Sequence, residues 1–131
     1  MWVLDASTVL EVLLKTPLGL RHANRILQID ATLHAPHLLD VEVAQVLRRL
    51  TLAEEISAER AQQVLEHLTD LPLVRHEHVS LLDRMWQLRS SVTAYDATYL
   101  ALAEGLPAVL LTCDGKLSRS HGHHAKIELL S

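Results

Sequence analysis

The chain has 131 residues, of which 49% are hydrophobic, and carries a formal net charge of −4 with histidine neutral. This length predicts one domain over residues 1–131 with a core of useful size, and the charge argues mildly against nonspecific coating of nucleic acid through clustered Lys and Arg. The longest uncharged stretches fall well short of the ~20 residues of a membrane span, and no secretory leader is visible, so we expect a soluble, cytoplasmic protein with no membrane partner.

Short apolar runs alternate with helical patterns along the whole chain, without a linker or repeat. Strands are predicted over residues 2–5, 32–35, 73–75, 108–113 and 126–130. Helices are predicted over residues 7–14, 18–29, 37–52, 57–69, 79–89 and 93–104, with Pro36 opening the third and Ser57 capping the fourth. Apolar strands separated by helices predict a three-layer α/β/α fold around a central, mainly parallel sheet of four or five strands.

Four carboxylates lie where strands end or helices begin. Asp5 and Asp114 follow apolar runs, and Glu42 and Asp96 lie near the starts of two predicted helices. In an open α/β sheet, strand ends and the following helix starts converge on one crevice. Because Mg²⁺ and Mn²⁺ prefer oxygen ligands, the convergence predicts a divalent metal site.

Each of these acids also has an ordinary structural explanation. Asp5 could cap the next helix, and Asp96 could belong to a capping arrangement that begins at Thr93. Asp114 with the following glycine is a common turn, and Glu42 could be a solvated helix residue. A cap and a metal site are compatible, so these explanations do not exclude a functional pocket.

Helical spacing favours the pocket. Asp96 shares a helix face with Tyr99, Leu100 and Ala103, so its side chain should point toward packed structure. Glu42 flanks an apolar stripe, which we predict to consist of Leu39, Val43, Val46 and Leu50. Two like charges ~4 Å apart repel by roughly 4 kcal/mol at an effective dielectric of about 20. A bound cation or protonation of one acid would compensate this repulsion.

The order of four short segments resembles that of PIN-domain ribonucleases. These segments are Val3–Ser7, Pro36–Val43 with Glu42, Thr93–Ala97 with Asp96, and Thr112–Leu117 with Asp114. The chain looks like a VapC toxin of a type II toxin–antitoxin pair, and the resemblance covers nearly its whole length. It implies a Mg²⁺- or Mn²⁺-dependent endoribonuclease, usually dimeric, that cuts RNA such as tRNA or rRNA and is inhibited by a cognate VapB-type antitoxin.

The resemblance also implies roles for individual residues. Asp5 and Asp96 would be the principal metal ligands, and Glu42 and Asp114 would complete the catalytic pocket directly or through water. Two hydroxyl positions, Ser7 and Thr112, could support these ligands. The specific RNA, the identity of the antitoxin and the number of metal ions stay open.

The basic residues come in pairs, which suggest either solvated faces or phosphate contacts. Arg48 and Arg49 are our candidates for RNA contact. The segment His121–His124 is expected to be a surface loop rather than a metal site, with its role open. Apolar helix surface between residues 64 and 88 could serve dimerisation or antitoxin docking, although the core should claim much of it.

Parts of the sequence are also compatible with three other functions. A phosphotransferase using Asp5 is weakened because the second acid usual in such enzymes is replaced here by Ser7. A receiver-type signalling domain would need a mid-chain strand ending in a suitable aspartate, which the sequence lacks, although Lys116 could imitate its lysine. A degenerate metal-binding interaction domain without nuclease activity is disfavoured because all four acids are present.

Overall fold

Five short strands and seven helices form the protein, and the computed structural model describes all residues, 1–131. The strands are β1 (Trp2–Leu4), β2 (Leu33–Pro36), β3 (Leu73–His76), β4 (Val109–Thr112) and β5 (Lys126–Leu129). The helices are α1 (Ala6–Leu13), α2 (Pro17–Ile26), α3 (Leu38–Leu52), α4 (Ala58–Asp70), α5 (Leu82–Gln87), α6 (Ala94–Gly105) and α7 (Gly115–Ser118). A 3₁₀ turn over Val79–Leu81 precedes α5.

All five strands are parallel and pair in the order β3-β2-β1-β4-β5. Trp2 of β1 is in register with Leu33 of β2 on one side and with Val109 of β4 on the other. The chain therefore moves outward in one direction from β1 and later returns to the other side of β1. This reversal creates a crevice beyond the carboxyl ends of β1 and β4, where ligands bind in open α/β sheets.

Helices cover the sheet in two layers, which confirms the predicted α/β/α architecture. Helices α1, α3 and α4 pack against one another, whereas α6 packs on β1, β2 and β4 and carries α5 on its outer side. Right-handed crossovers place these two groups on opposite faces. Every residue of α6 from Ala97 to Ala103 is buried, so this helix is packed on nearly all sides. None of the helices combines the length and hydropathy that a membrane span needs.

Side-chain caps explain why several helices start where they do. Thr16, Ser57 and Thr93 each accept a hydrogen bond from the backbone N–H three residues later, which confirms Ser57 as a cap. The close crossing of α1 and α2 requires Gly19, because a Cβ atom there would lie 1.8 Å from the carbonyl oxygen of Glu11. A larger residue at this position would push the two helices apart.

The structure corrects several predicted boundaries. Pro36 ends β2, in register with His76, rather than opening α3. The predicted second helix stops at Ile26 rather than at residue 29, and the region 79–89 is a 3₁₀ turn followed by the short helix α5. The buried stripe of α3 consists of Leu39, Val43 and Leu47, whereas Val46 and Leu50 are only partly buried.

Candidate active site at the carboxyl end of the sheet

Asp5 lies directly after β1 and is the most firmly held of the four acids. Its side chain is 6% exposed and caps α1. Oδ1 accepts hydrogen bonds from the Ser7 hydroxyl at 2.7 Å and from the Thr8 N–H at 3.0 Å, and Oδ2 accepts one from the Thr112 hydroxyl. A carboxylate has about four acceptor sites, so one remains for a ligand. The predicted cap and a functional role are therefore compatible.

The two predicted supporting hydroxyls both reach Asp5. Thr112, at the end of β4, is fully buried and also accepts the N–H of Asp114 at 3.0 Å. Ser7 accepts the N–H of Cys113 at 3.0 Å. These bonds tie the carboxyl ends of β1 and β4 together and fix the orientation of the Asp5 carboxylate.

Asp96 lies in the first turn of α6, where Thr93 caps the helix by accepting its N–H at 3.1 Å. Burial raises the pKa of Asp96, the charges of Asp114 and Asp5 raise it further, and the cation of Lys116 opposes them. These influences show that Asp5 and Asp114 lie near Asp96. Unlike Asp5, its side chain accepts no hydrogen bond from another residue, so its carboxylate is free for a ligand. As predicted, Tyr99, Leu100 and Ala103 are buried.

Glu42 reaches the same region from the second turn of α3. The hydroxyl of Tyr99 donates a hydrogen bond to its Oε1. Burial raises the pKa of Glu42, the Tyr99 hydrogen bond opposes this, and the charges of Asp5 and Asp96 raise it further. Burial and the bond to Glu42 also raise the pKa of Tyr99, so its phenol stays a donor. The sequence placed Tyr99 among packing residues and missed this contact.

Asp114 follows β4 and is exposed. A turn was one ordinary explanation of this residue; in the structure Asp114 caps the four-residue helix α7, because its Oδ1 accepts the N–H groups of Lys116 at 2.9 Å and Leu117 at 3.4 Å. The structure thus gathers carboxylates from four separate segments beyond the carboxyl ends of β1 and β4.

The two arginines chosen for RNA contact do not join this cluster. Arg48 and Arg49 are exposed near the end of α3, and Arg48 lines a shallow groove between α3 and α4. Arg48 lies six positions after Glu42, which is about 9 Å along a helix axis. The cations near the acids are Lys116 and its neighbour Arg119, neither of which is among the predicted RNA contacts.

No three His, Cys, Asp or Glu side chains in the structure lie close enough to hold an ion by themselves, either in the histidine-rich segment or among the four acids. The four acids still fit a hard divalent cation. Mg²⁺ is commonly held by one or two carboxylates and several waters, so three direct protein ligands are not required. Two of the acids, Glu42 and Asp96, have raised pKa values that a nearby cation would relieve.

Fold and site together define an α/β protein with a carboxylate-lined site at the point where its strand order reverses. The profile of the PIN domain family matches residues 2–121. Ribonuclease VapC12 of Mycobacterium tuberculosis is 43% identical over 131 residues, covering 100% of both chains, and Ribonuclease VapC1 of the same organism is 40% identical over 129 residues, covering 98% of this chain and 96% of the relative. The chain therefore belongs to the PIN-domain family, in its VapC ribonuclease branch, which confirms the resemblance.

Solved structures share the fold at much lower sequence identity. VapBC2 from Rickettsia felis, bound to a DNA fragment from its promoter, superposes with a TM-score of 0.73 at 14% identity over 99% of this chain and 98% of the other. The Sarcin-Ricin loop cleaving toxin VapC20 of Mycobacterium tuberculosis gives a TM-score of 0.67 at 13% identity over 90% and 93% of the two chains. At these identities the similarity extends to the fold alone.

Proposed function

We propose that the protein is a divalent-metal-dependent endoribonuclease and the toxin of a toxin–antitoxin pair, with residues 1–131 acting as one domain. The observation that carries this proposal is the convergence of Asp5, Glu42, Asp96 and Asp114 at the strand-order reversal. Full-length relatives named as ribonucleases support the same activity. Its RNA substrate would be encountered in the cytoplasm.

Mg²⁺ or Mn²⁺ is the cofactor that suits these oxygen donors. Asp5 and Asp96 would hold it, with Glu42 and Asp114 contributing directly or through water. When bound, the ion would activate a water molecule and stabilise negative charge on the scissile phosphate.

The protein's own residues prepare the site for in-line attack on a phosphodiester. The Ser7, Thr8 and Thr112 donors hold Asp5 in one orientation, so no rearrangement is needed when the substrate arrives. Glu42, with its raised pKa and its Tyr99 contact, is the proposed proton acceptor for the attacking water. Lys116, close to Asp96, supplies positive charge for the phosphate.

A homodimer and a VapB-type antitoxin are the proposed protein partners. Val64, Leu68 and Leu88 are buried in the core, as the sequence led us to expect for much of that region. By contrast, Leu82 is 49% exposed and Tyr95 is 63% exposed, and both line an apolar groove beside the active site. Exposed apolar surface of this kind suits a protein partner.

The test is to sequence new RNA ends after total cellular RNA is incubated with purified protein in Mg²⁺, in Mn²⁺ or in chelator. Cleavage at one or a few sites is expected with metal only, and Asp96→Asn should abolish it. Asp83→Asn is the matched control, since it removes an exposed carboxylate from the first turn of α5. Metal-dependent ends that persist in folded Asp96→Asn protein would contradict the assignment of the site.

A further inference from the structure

A wide groove opens beside Asp96, and none of the other three acids lines it. Its volume is about 800 Å³, and its walls come from the α5–α6 connection, the start of α6 and the segment after β4. Only two of its eleven lining residues are hydrophobic. Its polar lining includes Arg89, Thr93, Lys116, Arg119 and His121. The groove is thus continuous with the acidic site but chemically different from it.

The three cations of the groove lack carboxylate partners. Arg89, Lys116 and Arg119 are all exposed. The ion pairs of the protein are Arg25–Glu128, Arg75–Asp40 and Arg84–Glu104. Positive charge therefore accumulates on both walls of the groove, although the whole chain is negatively charged. Unpaired cations that face one another across a groove suit a polyanion.

Local contacts hold two of these cations in place. The guanidinium of Arg89 lies 4.8 Å from the ring centroid of Trp86 and donates a hydrogen bond to the Trp86 carbonyl oxygen at 2.9 Å. The Arg119 side chain folds over Gly115, where a Cβ atom would come within 2.9 Å of its Nη1. Arg89 and Arg119 are therefore partly ordered before any ligand arrives, which reduces the conformational entropy that their side chains lose on binding.

The segment that follows the groove residue His121 is also held in place. Gly122 has φ +88°, and a Cβ atom there would lie 2.7 Å from the Ser91 hydroxyl, so the backbone passes close to the α5–α6 connection. The backbone N–H of His124 donates to Glu104 at 2.7 Å, and Glu104 is paired with Arg84. These contacts explain why the histidine-rich segment has a defined course.

We propose that this groove binds the single-stranded RNA that flanks the cleaved phosphate, with Arg89, Lys116 and Arg119 contacting successive phosphates. The inference rests on the proposed ribonuclease function and names the form of its substrate. A cavity of this size has room for about one or two nucleotides. An extended single strand fits such a groove and brings its backbone to Asp96, whereas a double helix is too wide to enter.

Binding is measured by fluorescence anisotropy with a labelled single-stranded RNA oligonucleotide of mixed sequence, in chelator so that no cleavage occurs. The triple variant Arg89→Gln, Lys116→Gln, Arg119→Gln is compared with wild type across a salt series. Each lost phosphate contact should lower the slope of log affinity against log salt by about 0.7, or about 2 for the triple variant. At 0.1 M salt this corresponds to about fivefold weaker binding per contact.

The matched control is Lys15→Gln, Arg21→Gln, Lys126→Gln, which removes the same charge from exposed cations that do not line the groove. It should leave the salt slope near that of wild type. Equal slope losses in both triple variants, an unchanged slope in the groove variant, or equally tight binding of a blunt RNA duplex would overturn the groove assignment.

The same proteins are also tested for metal-dependent cleavage, which separates the two proposals. If the wild type cleaves RNA and the groove variant binds RNA as tightly as the wild type does, the groove assignment is wrong and the ribonuclease proposal stands. If the groove variant lowers the salt slope but the wild type cleaves no RNA, the groove assignment stands and the ribonuclease proposal is wrong.

Discussion

Two aspartates of the site are expected to change stability in opposite directions when each becomes asparagine in metal-free protein. The buried carboxylate of Asp5 accepts three hydrogen bonds through its two oxygens. An amide keeps only one oxygen, so at least one donor loses its charged acceptor. This loss lowers the free energy of unfolding by about 1.5–3 kcal/mol. For a domain of this size the melting temperature should fall by roughly 5–12 °C.

Asp96→Asn should have the opposite effect. Its carboxylate accepts no side-chain or backbone hydrogen bond, and burial together with Asp114 and Asp5 raises its pKa. Asparagine carries no charge, so the substitution removes the unfavourable burial and repulsion of the carboxylate. It also removes a favourable helix-dipole interaction of about 0.3–1 kcal/mol. We expect a net gain of roughly 0.5–1 kcal/mol. Because the folded-state pKa lies above the ordinary value of 3.8, the gain is absent below pH 3.8 and grows as pH rises through the folded-state pKa.

The assay is thermal unfolding followed by circular dichroism in chelator, at neutral pH and below pH 3.8, with Asp83→Asn as the exposed control. Wild-type stability in Asp5→Asn would refute the claim that the three donors need a carboxylate. A destabilised Asp96→Asn at neutral pH would refute the claim that its charge is unfavourable in the metal-free fold.

Three further outcomes follow from the same contacts. Mg²⁺ or Mn²⁺ at 100 times its dissociation constant should stabilise the wild type by about 2.7 kcal/mol. The same metal concentration should stabilise Asp96→Asn much less, and differential scanning calorimetry measures both effects. Tyr99→Phe removes the contact that lowers the pKa of Glu42, so the acidic limb of the cleavage rate against pH should move to higher pH; an unmoved limb would exclude Glu42 as the base. Burial and then the charge of His76 lower the pKa of His34 below its ordinary 6.5, so stability that is present above pH 6.5 should be lost as pH falls through the folded-state pKa. His34→Gln should flatten this loss, and equal acid sensitivity of both proteins in chemical denaturation would contradict it.

The sequence predicted the fold and the acidic cluster well because both depend on local patterns. Apolar runs fix parallel strands, and the carboxyl ends of parallel strands meet at one edge, so Asp5 and Asp114 had to lie close together. The 3.6-residue period placed Asp96 on the inner face of α6. Their roles as ligands stay predictions.

Other features depended on contacts that periodicity does not encode. The Asp114 side chain could accept hydrogen bonds from the N–H groups of a turn or of a short helix, and in the structure it caps a short helix. The contact of Tyr99 with Glu42 joins residues 57 positions apart. For cations, adjacency in sequence says nothing about distance from the site, so the sequence did not single out Lys116 and Arg119 beside Asp96, and RNA contact by Arg48 stays a prediction.

The acids of the site differ in how far the surrounding protein compensates their negative charge. Asp5 accepts hydrogen bonds from donors in α1 and β4, so it supplies a ligand position whose orientation is already fixed. Asp96 and Glu42 are half-buried beside like charges, with one hydroxyl and one nearby cation to compensate them. A divalent cation should stabilise such a pocket in proportion to the carboxylate charge that the protein itself leaves uncompensated. The acids that destabilise the metal-free protein are therefore the ones that should give metal its affinity, and stability in chelator and metal binding should change in opposite directions when either is neutralised.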